Sequence, residues 1–552
     1  MIAQQEIVAS DSDTIEQNAD AGKMEMKNLL SQNVSLKLAA RVFYLLTRFF
    51  LPPLTLSYVT LEEYGIWASC FILVGYLGMS AFGVSNVYVR YVAEYNARKE
   101  TDKINRLLST GLTVITALSI VLLITLWFAL PVIVARFNVP PPLRRTSFLL
   151  IFVTSATFML DLSLGAFAYA LDGVQRVFET TVVWIISFSL EAILIVTLLI
   201  AGFGIYSLLW AFVIRYVFAT AGYVFFCYRA LPGLSLSIRH FDRQMLRLFY
   251  SYGAVVQLSG LMGMFLYSIE KLIAGVFIGV GATGLFDVGE KLPVMASQVP
   301  ASMNSVFLPA FSHMYSLDQR REIARLYLKG ARYLNMTLGI GMGFLAAFSL
   351  PVITAWIGFD AKYHTAAIIL TLVCLPYQMN ELTGPASAFH RGVGKPGREL
   401  IYPITQLLLV TLTVALGFLW AGRSVLVICI AVASSMVASA LFYLSYTNHC
   451  LGLGIGEYTR KVLAPGIVPY LVGFALMWLA RPWFAWAGTG RWQVLPILGA
   501  CGVVYSLLSI ALLYRVICDW GEREYLRKQL IHTLSGLVRV KRRPALTRSE
   551  FS

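Results

Sequence analysis

Long apolar runs, separated by short gaps that carry charges, prolines or a glycine turn, follow one another from about residue 38 to residue 517. Within each run the hydrophobic residues are continuous rather than alternating, which predicts helices and not strands. A helix needs about 20 apolar residues to cross a bilayer. Backbone polar groups in lipid allow only helices or closed barrels. Fourteen spans are predicted, near 38–59, 64–89, 107–134, 146–171, 180–201, 206–228, 250–278, 283–311, 333–357, 365–389, 401–421, 424–447, 463–484 and 493–517. The expected fold class is an all-α integral membrane protein of about 14 transmembrane helices.

The pattern is written twice. At an offset of 219 residues, Gly65 falls on Gly284, Trp67 on Phe286, Val87-Tyr88 on Val306-Phe307, Arg106 on Arg325 and Gly111 on Gly330. One residue further in offset, Leu130-Pro131-Val132-Ile133 recurs as Leu350-Pro351-Val352-Ile353, and Asp161 falls on Glu381. Fixed-period similarity of this kind reads as an internal duplication. Six spans separate equivalent points, an even number, so both copies cross the membrane in the same direction. The expectation is two six-helix lobes, 36–229 and 250–447, related by an axis along the membrane normal, with a site between them near the midplane. A cytoplasmic linker, 230–249, joins them, and 462–518 adds two further helices. A polar tail, 1–35, precedes the lobes. The basic tail 519–552 carries Leu526, Leu530 and Leu534 at helical spacing beside Arg523, Arg527 and Lys528, which predicts an amphipathic helix on the inner leaflet.

Composition agrees with a membrane protein: 58% of residues are hydrophobic and 13% charged, against about 25% charged in soluble domains. The formal charge of +15 is a matter of topology. With the N-terminus inside, 33 of the 44 Lys and Arg fall in cytoplasmic segments or at the cytoplasmic ends of spans, four lie deep within spans, and seven fall outside or at outer ends. Those seven are Arg136, Arg144, Arg145, Lys362, Arg423, Arg481 and Arg491. This asymmetry places both termini in the cytoplasm and makes anionic lipid, not nucleic acid, the expected electrostatic partner. The first thirty residues are polar and acidic, so no cleavable signal is expected and the first span serves as its own insertion signal. The seven cysteines are scattered and make no metal-ligand spacing. No phosphate loop, zinc-protease helix or nucleophile elbow is present, so no enzyme, metal or cofactor is expected.

Charges inside spans are costly, by about 2.5–3.5 kcal/mol each at the helix centre, and by default face the bundle interior. The cations are Arg48, Arg215, Lys271 and Lys291, the candidate contacts for an anionic substrate. The main acids are Asp161, Glu191, Glu270, Asp287, Glu290 and Glu381. At 1.5 Å per residue, Glu191 and Arg215 lie about 16 and 20 Å above the inner ends of one hairpin, a depth match that pairs them. The same arithmetic pairs Lys271 with Glu290 and Glu270 with Lys291, and leaves Asp287 over near the outer surface. Arg48 lies near the midplane, level with Asp161, which offers a structural pair across the first lobe. Glu381 has no basic residue at its depth. Asp161, Glu381 and Glu191 are therefore candidates for ion coupling. Pro293, Pro300 and Pro376 are candidate hinges, with static kinks as the alternative, and Gly339, Gly341 and Gly343 mark a further bend.

Fourteen helices as two six-helix lobes plus two, an outer turn Glu62-Glu63-Tyr64-Gly65, and an inner exit Arg90-Tyr91-Val92-Ala93-Glu94-Tyr95 together resemble the bacterial polysaccharide-unit flippases (Wzx type). These belong to the multidrug/oligosaccharidyl-lipid/polysaccharide exporter superfamily. The resemblance covers roughly residues 35 to 518. It implies a multi-pass protein of the bacterial inner membrane that moves an undecaprenyl-pyrophosphate-linked oligosaccharide outward by alternating access. It further implies a cationic cavity with Arg48 as an anion contact, membrane lipids as surroundings, and glycan polymerase or assembly proteins as partners. A cation-coupled multidrug exporter of the same superfamily is the alternative. A membrane polymerase or glycosyltransferase is disfavoured, because no outside loop is much longer than a dozen residues.

Overall fold

The computed structural model describes residues 39–79, 84–251, 262–263, 266, 268–488, 490–517 and 523–524. The predicted N-terminal tail and amphipathic C-terminal helix lie outside the described residues, apart from 523–524. Among the described residues the regular structure is helical throughout. The chain opens with α1 over residues 39–56. Then come α2 (Leu61–Gly78), α3 (Val84–Ala97), α4 (Thr101–Arg136), α5 (Arg144–Leu164), α6 (Ala166–Gly173), α7 (Val177–Ile200) and α8 (Tyr206–Ala230), which pack on one another as a first bundle. After α9 (Arg243–Ser251), a second bundle comprises α10 (Ile269–Phe277), α11 (Val280–Ala301), α12 (Asn304–Ser316), α13 (Arg320–Ala347), α14 (Ser349–Trp356), α15 (His364–Gly392), α16 (Ile401–Ala421) and α17 (Val425–Cys450). Two more helices, α18 (Ala464–Ala487) and α19 (Arg491–Leu512), lie against α13 and α14.

Nine described helical stretches are long and apolar enough to cross a membrane, and α13 with α14 passes as a tenth although bent by 78°. The predicted spans that do not pass are the first, second, seventh and eighth. Around them the chain is divided or charged: α2 and α3 flank the undescribed residues 80–83, α10 has nine residues, and α11 carries Asp287, Glu290 and Lys291. Exposed Trp420, Trp483, Trp486 and Trp492 cluster near the ends of α16 and α18 and the start of α19. Such amphipathic rings mark the level of a membrane surface.

The repeated residues meet each other. Helices α2 and α11 cross so closely that a Cβ on Gly65 would collide with the Val280 carbonyl oxygen, and one on Gly284 would stand 2.9 Å from that of Leu61. Leu61 and Val280 are themselves 219 apart, so the crossing has the same contact in both directions. A second equivalent pair recurs within the bundles. Gly111 gives room to the Tyr88 ring, and Gly330 gives room to Phe307.

Copies diverge at the Leu-Pro-Val stretch. Pro131 lies inside the unbroken α4, whereas Pro351 follows the 78° bend at Phe348. The bend is beyond Gly339, Gly341 and Gly343, and the expectation that these glycines mark it is corrected. Gly339 and Gly343 are close-approach positions for α18: a Cβ on Gly339 would collide with the Gly466 carbonyl, and one on Gly343 would stand 2.9 Å from the Tyr470 amide nitrogen. Buried polar groups fasten the same contact. Asn335 donates to the Val462 carbonyl (2.7 Å), Gln378 donates to Asn335 (2.7 Å), and Tyr470 donates to Gln378 (2.8 Å).

Candidate functional site

A cavity of about 700 Å³ lies between α1, α2 and α7 on one side and α10 and α11 on the other. Its walls carry Arg48 and Glu191 from the first side, and Lys271, Asp287, Glu290 and Lys291 from the second. Aromatic and apolar groups, among them Tyr44, Trp67, Phe71 and Met295, complete the lining.

The first wall is built around one carboxylate. Glu191, 3% exposed, receives Arg215 at 3.3 Å and Arg48 at 3.7 Å on the same oxygen, Oε2. Arg215 is 9% exposed and packed against the faces of Tyr216 (3.9 Å) and Phe188 (4.4 Å). A guanidinium held this way gains from the ring quadrupoles as well as from the ion pair. Arg48 is the outer member, with its side chain 25% exposed and directed into the cavity beside Tyr44, one turn earlier on α1. Two cations against one anion leave this wall one positive charge in excess.

Asp287 centres the second wall. Lys271 and Lys291 each donate to it at 3.0 Å, and the Tyr64 hydroxyl donates to its Oδ2 at 2.8 Å from α2. Lys271 also reaches Glu290 at 3.4 Å. Glu270 faces the other way, into a small space of about 30 Å³ that it shares with Glu290, Tyr377 and Cys429. The Oε1 atoms of Glu270 and Glu290 have no hydrogen-bond partner among the described residues.

Two expected pairings are corrected here. Lys291 pairs with Asp287 and not with Glu270, so Asp287 is a hub instead of a residue left over. Arg48 pairs with Glu191 and not with Asp161. The reason is common to both. Residue depth follows from spacing along a helix, but the direction a side chain takes around the helix depends on which face is buried, and adjacent Glu270 and Lys271 point about 100° apart. The Glu191–Arg215 and Lys271–Glu290 neighbours stand as depth predicts.

The other sequence candidates lie apart from the cavity lining. Arg215 is behind Arg48. Asp161 is on α5 and makes no ion pair among the described residues. Glu381 is on α15, where its carbonyl accepts a 3.5 Å hydrogen bond from Asn304 and its carboxylate neighbours Ser297. Pro293 and Pro300 lie inside α11, and Pro376 inside α15, without a break in either helix. Sequence reasoning missed Tyr64, whose signal was its place beside the repeated Gly65. It also missed Gln298, which accepts from Arg41 and ties α1 to α11. No cluster of potential metal ligands is found among the described residues.

A family model described as polysaccharide biosynthesis protein matches residues 58–367, more than half of the chain. The chain belongs to that family. No curated protein matches it. Among solved structures, the lipid II flippase MurJ in an inward closed conformation aligns with a TM-score of 0.61 at 14% identity, over 88% of this chain and 99% of that one. An inward-facing multidrug resistance MATE family transporter of the MOP superfamily aligns with a TM-score of 0.58 at 15% identity, over 74% and 98%. A MOP superfamily transporter from Pyrococcus furiosus, described as having a binding pocket of reverse polarity, aligns at 0.51 and 15% identity, over 77% and 95%. This member of the polysaccharide biosynthesis family therefore has the fold of the MOP-superfamily transporters and is a multi-pass membrane protein.

Proposed function

We propose that the chain is a flippase for an undecaprenyl-pyrophosphate-linked oligosaccharide in the bacterial inner membrane, and that Arg48 holds the pyrophosphate. The observation that carries this reading is the shared carboxylate: Arg48 and Arg215 meet the single acid Glu191, and the exposed member of the trio faces the cavity. A guanidinium binds phosphate oxygens through paired, charge-assisted hydrogen bonds. Family membership in polysaccharide biosynthesis and the likeness to a structure titled lipid II flippase support the same substrate class. Lys271 and Lys291 add contacts once substrate competes with Asp287 for them. Asp161, Glu381 and Glu191 remain the candidates for coupling to an ion, and Pro293, Pro300 and Pro376 the candidate hinges of an alternating-access cycle.

The decisive experiment replaces Arg48 by Ala and by Lys in a strain that depends on this gene for surface glycan, with protein levels matched. Surface glycan should fall in both variants, and lipid-linked oligosaccharide should build up on the inner leaflet. Full glycan export by Arg48→Ala would remove Arg48 from the mechanism. The second reading, export of small cationic drugs, draws on the opposite wall, where Asp287, Glu290 and nearby Glu270 outnumber Lys271 and Lys291. Unchanged surface glycan with increased dye sensitivity in the deletion strain would favour it.

A further inference from the structure

Of the seven cations expected outside, only Lys362 has an acidic partner among the described residues. Lys362 is held by Asp360 at 3.0 Å, Arg491 donates to two backbone carbonyls, and Arg423 lies over the Phe277 ring. Arg144 and Arg145 are adjacent and exposed, and Arg144 also donates to the Val139 carbonyl at 3.4 Å. Arg144 and Arg145 close one end of a groove of about 590 Å³ between the last turns of α4 and the first turns of α5. Its floor is apolar: Trp127, Pro131, Phe148 and Phe152 line it, with the Trp127 ring edge-on to both phenylalanines at 5.0 and 4.9 Å. From Arg144 to Val153 the groove runs about 13 Å along α5 at 1.5 Å per residue, which suits the upper part of an acyl chain.

The duplication indicates what belongs there. In the second copy, the stretch equivalent to the end of α4 is Leu350–Trp356, and protein covers it from Pro351 to Trp356. Ala355 packs with Ala487 and Val494, and Arg491 donates to the carbonyls of Ala355 (2.8 Å) and Trp356 (2.9 Å). In the first copy, the counterparts Ala135 and Arg136 are exposed. The face that α18 and α19 cover in one copy is left to the membrane in the other.

We infer that this groove is a specific site for an anionic phospholipid of the outer leaflet, its phosphate held by Arg144 and Arg145 and one acyl chain lying on Trp127 and Phe148. Two adjacent guanidiniums favour a net negative headgroup over a zwitterionic one, whose ammonium they repel. The groove shares no lining residue with the central cavity, so its occupant is a bulk lipid and not the transported substrate. Purified full-length protein, incubated with phosphatidylglycerol or phosphatidylethanolamine of the same chains, should retain several-fold more phosphatidylglycerol in native mass spectrometry. Arg144→Gln/Arg145→Gln should lose that excess, while Arg48→Ala and Arg423→Gln, measured in parallel, should keep it. A monodisperse gel-filtration peak for each variant keeps misfolding apart from lost binding, and single Arg145→Gln serves if the double variant aggregates. Equal retention of the two lipids, or an unchanged preference in the arginine variants, overturns the site. Displacement of phosphatidylglycerol by equimolar undecaprenyl phosphate overturns its assigned occupant.

Discussion

Glu191 compensates two guanidiniums with one carboxylate, and the two arginines are not equivalent. Arg215 is the buried partner, packed among rings, so Glu191→Gln leaves an uncompensated cation in the interior. Breaking a buried pair from one side typically costs about 3–5 kcal/mol. Glu191→Gln should therefore lower the yield of folded protein, read as the monodisperse peak of a fluorescent fusion. Arg48→Ala removes the outer cation and leaves the Glu191–Arg215 pair in place, so it should give a normal peak. If both variants lose the peak equally, Arg48 is structural. One of the trio's two ion pairs was legible in the sequence. Glu191 and Arg215 share a hairpin and a depth, which spacing reports directly. Arg48 was recognised as an embedded cation, but its partner was not. Asp161 and Glu191 lie on different helices at similar heights, and only the rotation of α1 against α7 decides between them.

At the scale of helices, the α2–α11 crossing depends on two absent side chains. Gly65→Leu or Gly284→Leu forces the helices apart and separates Tyr64 from Asp287, and each should reduce folded protein strongly. Gly75→Leu is the control, since a Cβ there meets nothing within 4 Å. The attachment of α18 is polar and can be tested separately. Tyr470→Phe leaves the Gln378 side-chain oxygen without its 2.8 Å donor, and a buried unsatisfied group costs about 1–3 kcal/mol. Thermal unfolding in detergent should shift down for Tyr470→Phe, and an unchanged midpoint would mean that water replaces the donor. Element identity was readable from the apolar runs. The 78° bend was not, because the same Leu-Pro-Val-Ile stretch is straight in α4. What differs among the described residues is the neighbour: Arg491 donates to the carbonyls of Ala355 and Trp356, whereas the equivalent Ala135 and Arg136 are exposed.

For the molecule as a whole, charge gives an expected orientation that is open to a direct check. Reporter fusions after Gly422 should score outside, and fusions after Arg398 or at the C-terminus inside. Of the six cysteines described, Cys450 is exposed and the others are buried, so impermeant maleimide should label Cys450 in inside-out vesicles and leave it untouched in intact cells. Labelling from the outside would overturn the assigned orientation. The symmetric crossing of α2 and α11 also speaks to ancestry. A chain whose halves repeat, and whose halves touch through equivalent atoms, descends most simply from a six-helix subunit that paired with its own copy. In such a homodimer one glycine codon served both sides of the dyad, and any substitution there entered the interface twice. Fusion of such a pair would release the halves to drift, and the equivalent positions do differ: tryptophan at 67 corresponds to phenylalanine at 286, and tyrosine at 88 to phenylalanine at 307. Gly65 and Gly284 gained independence in the gene but not in space, since each still lies against the other helix, and neither has acquired a side chain.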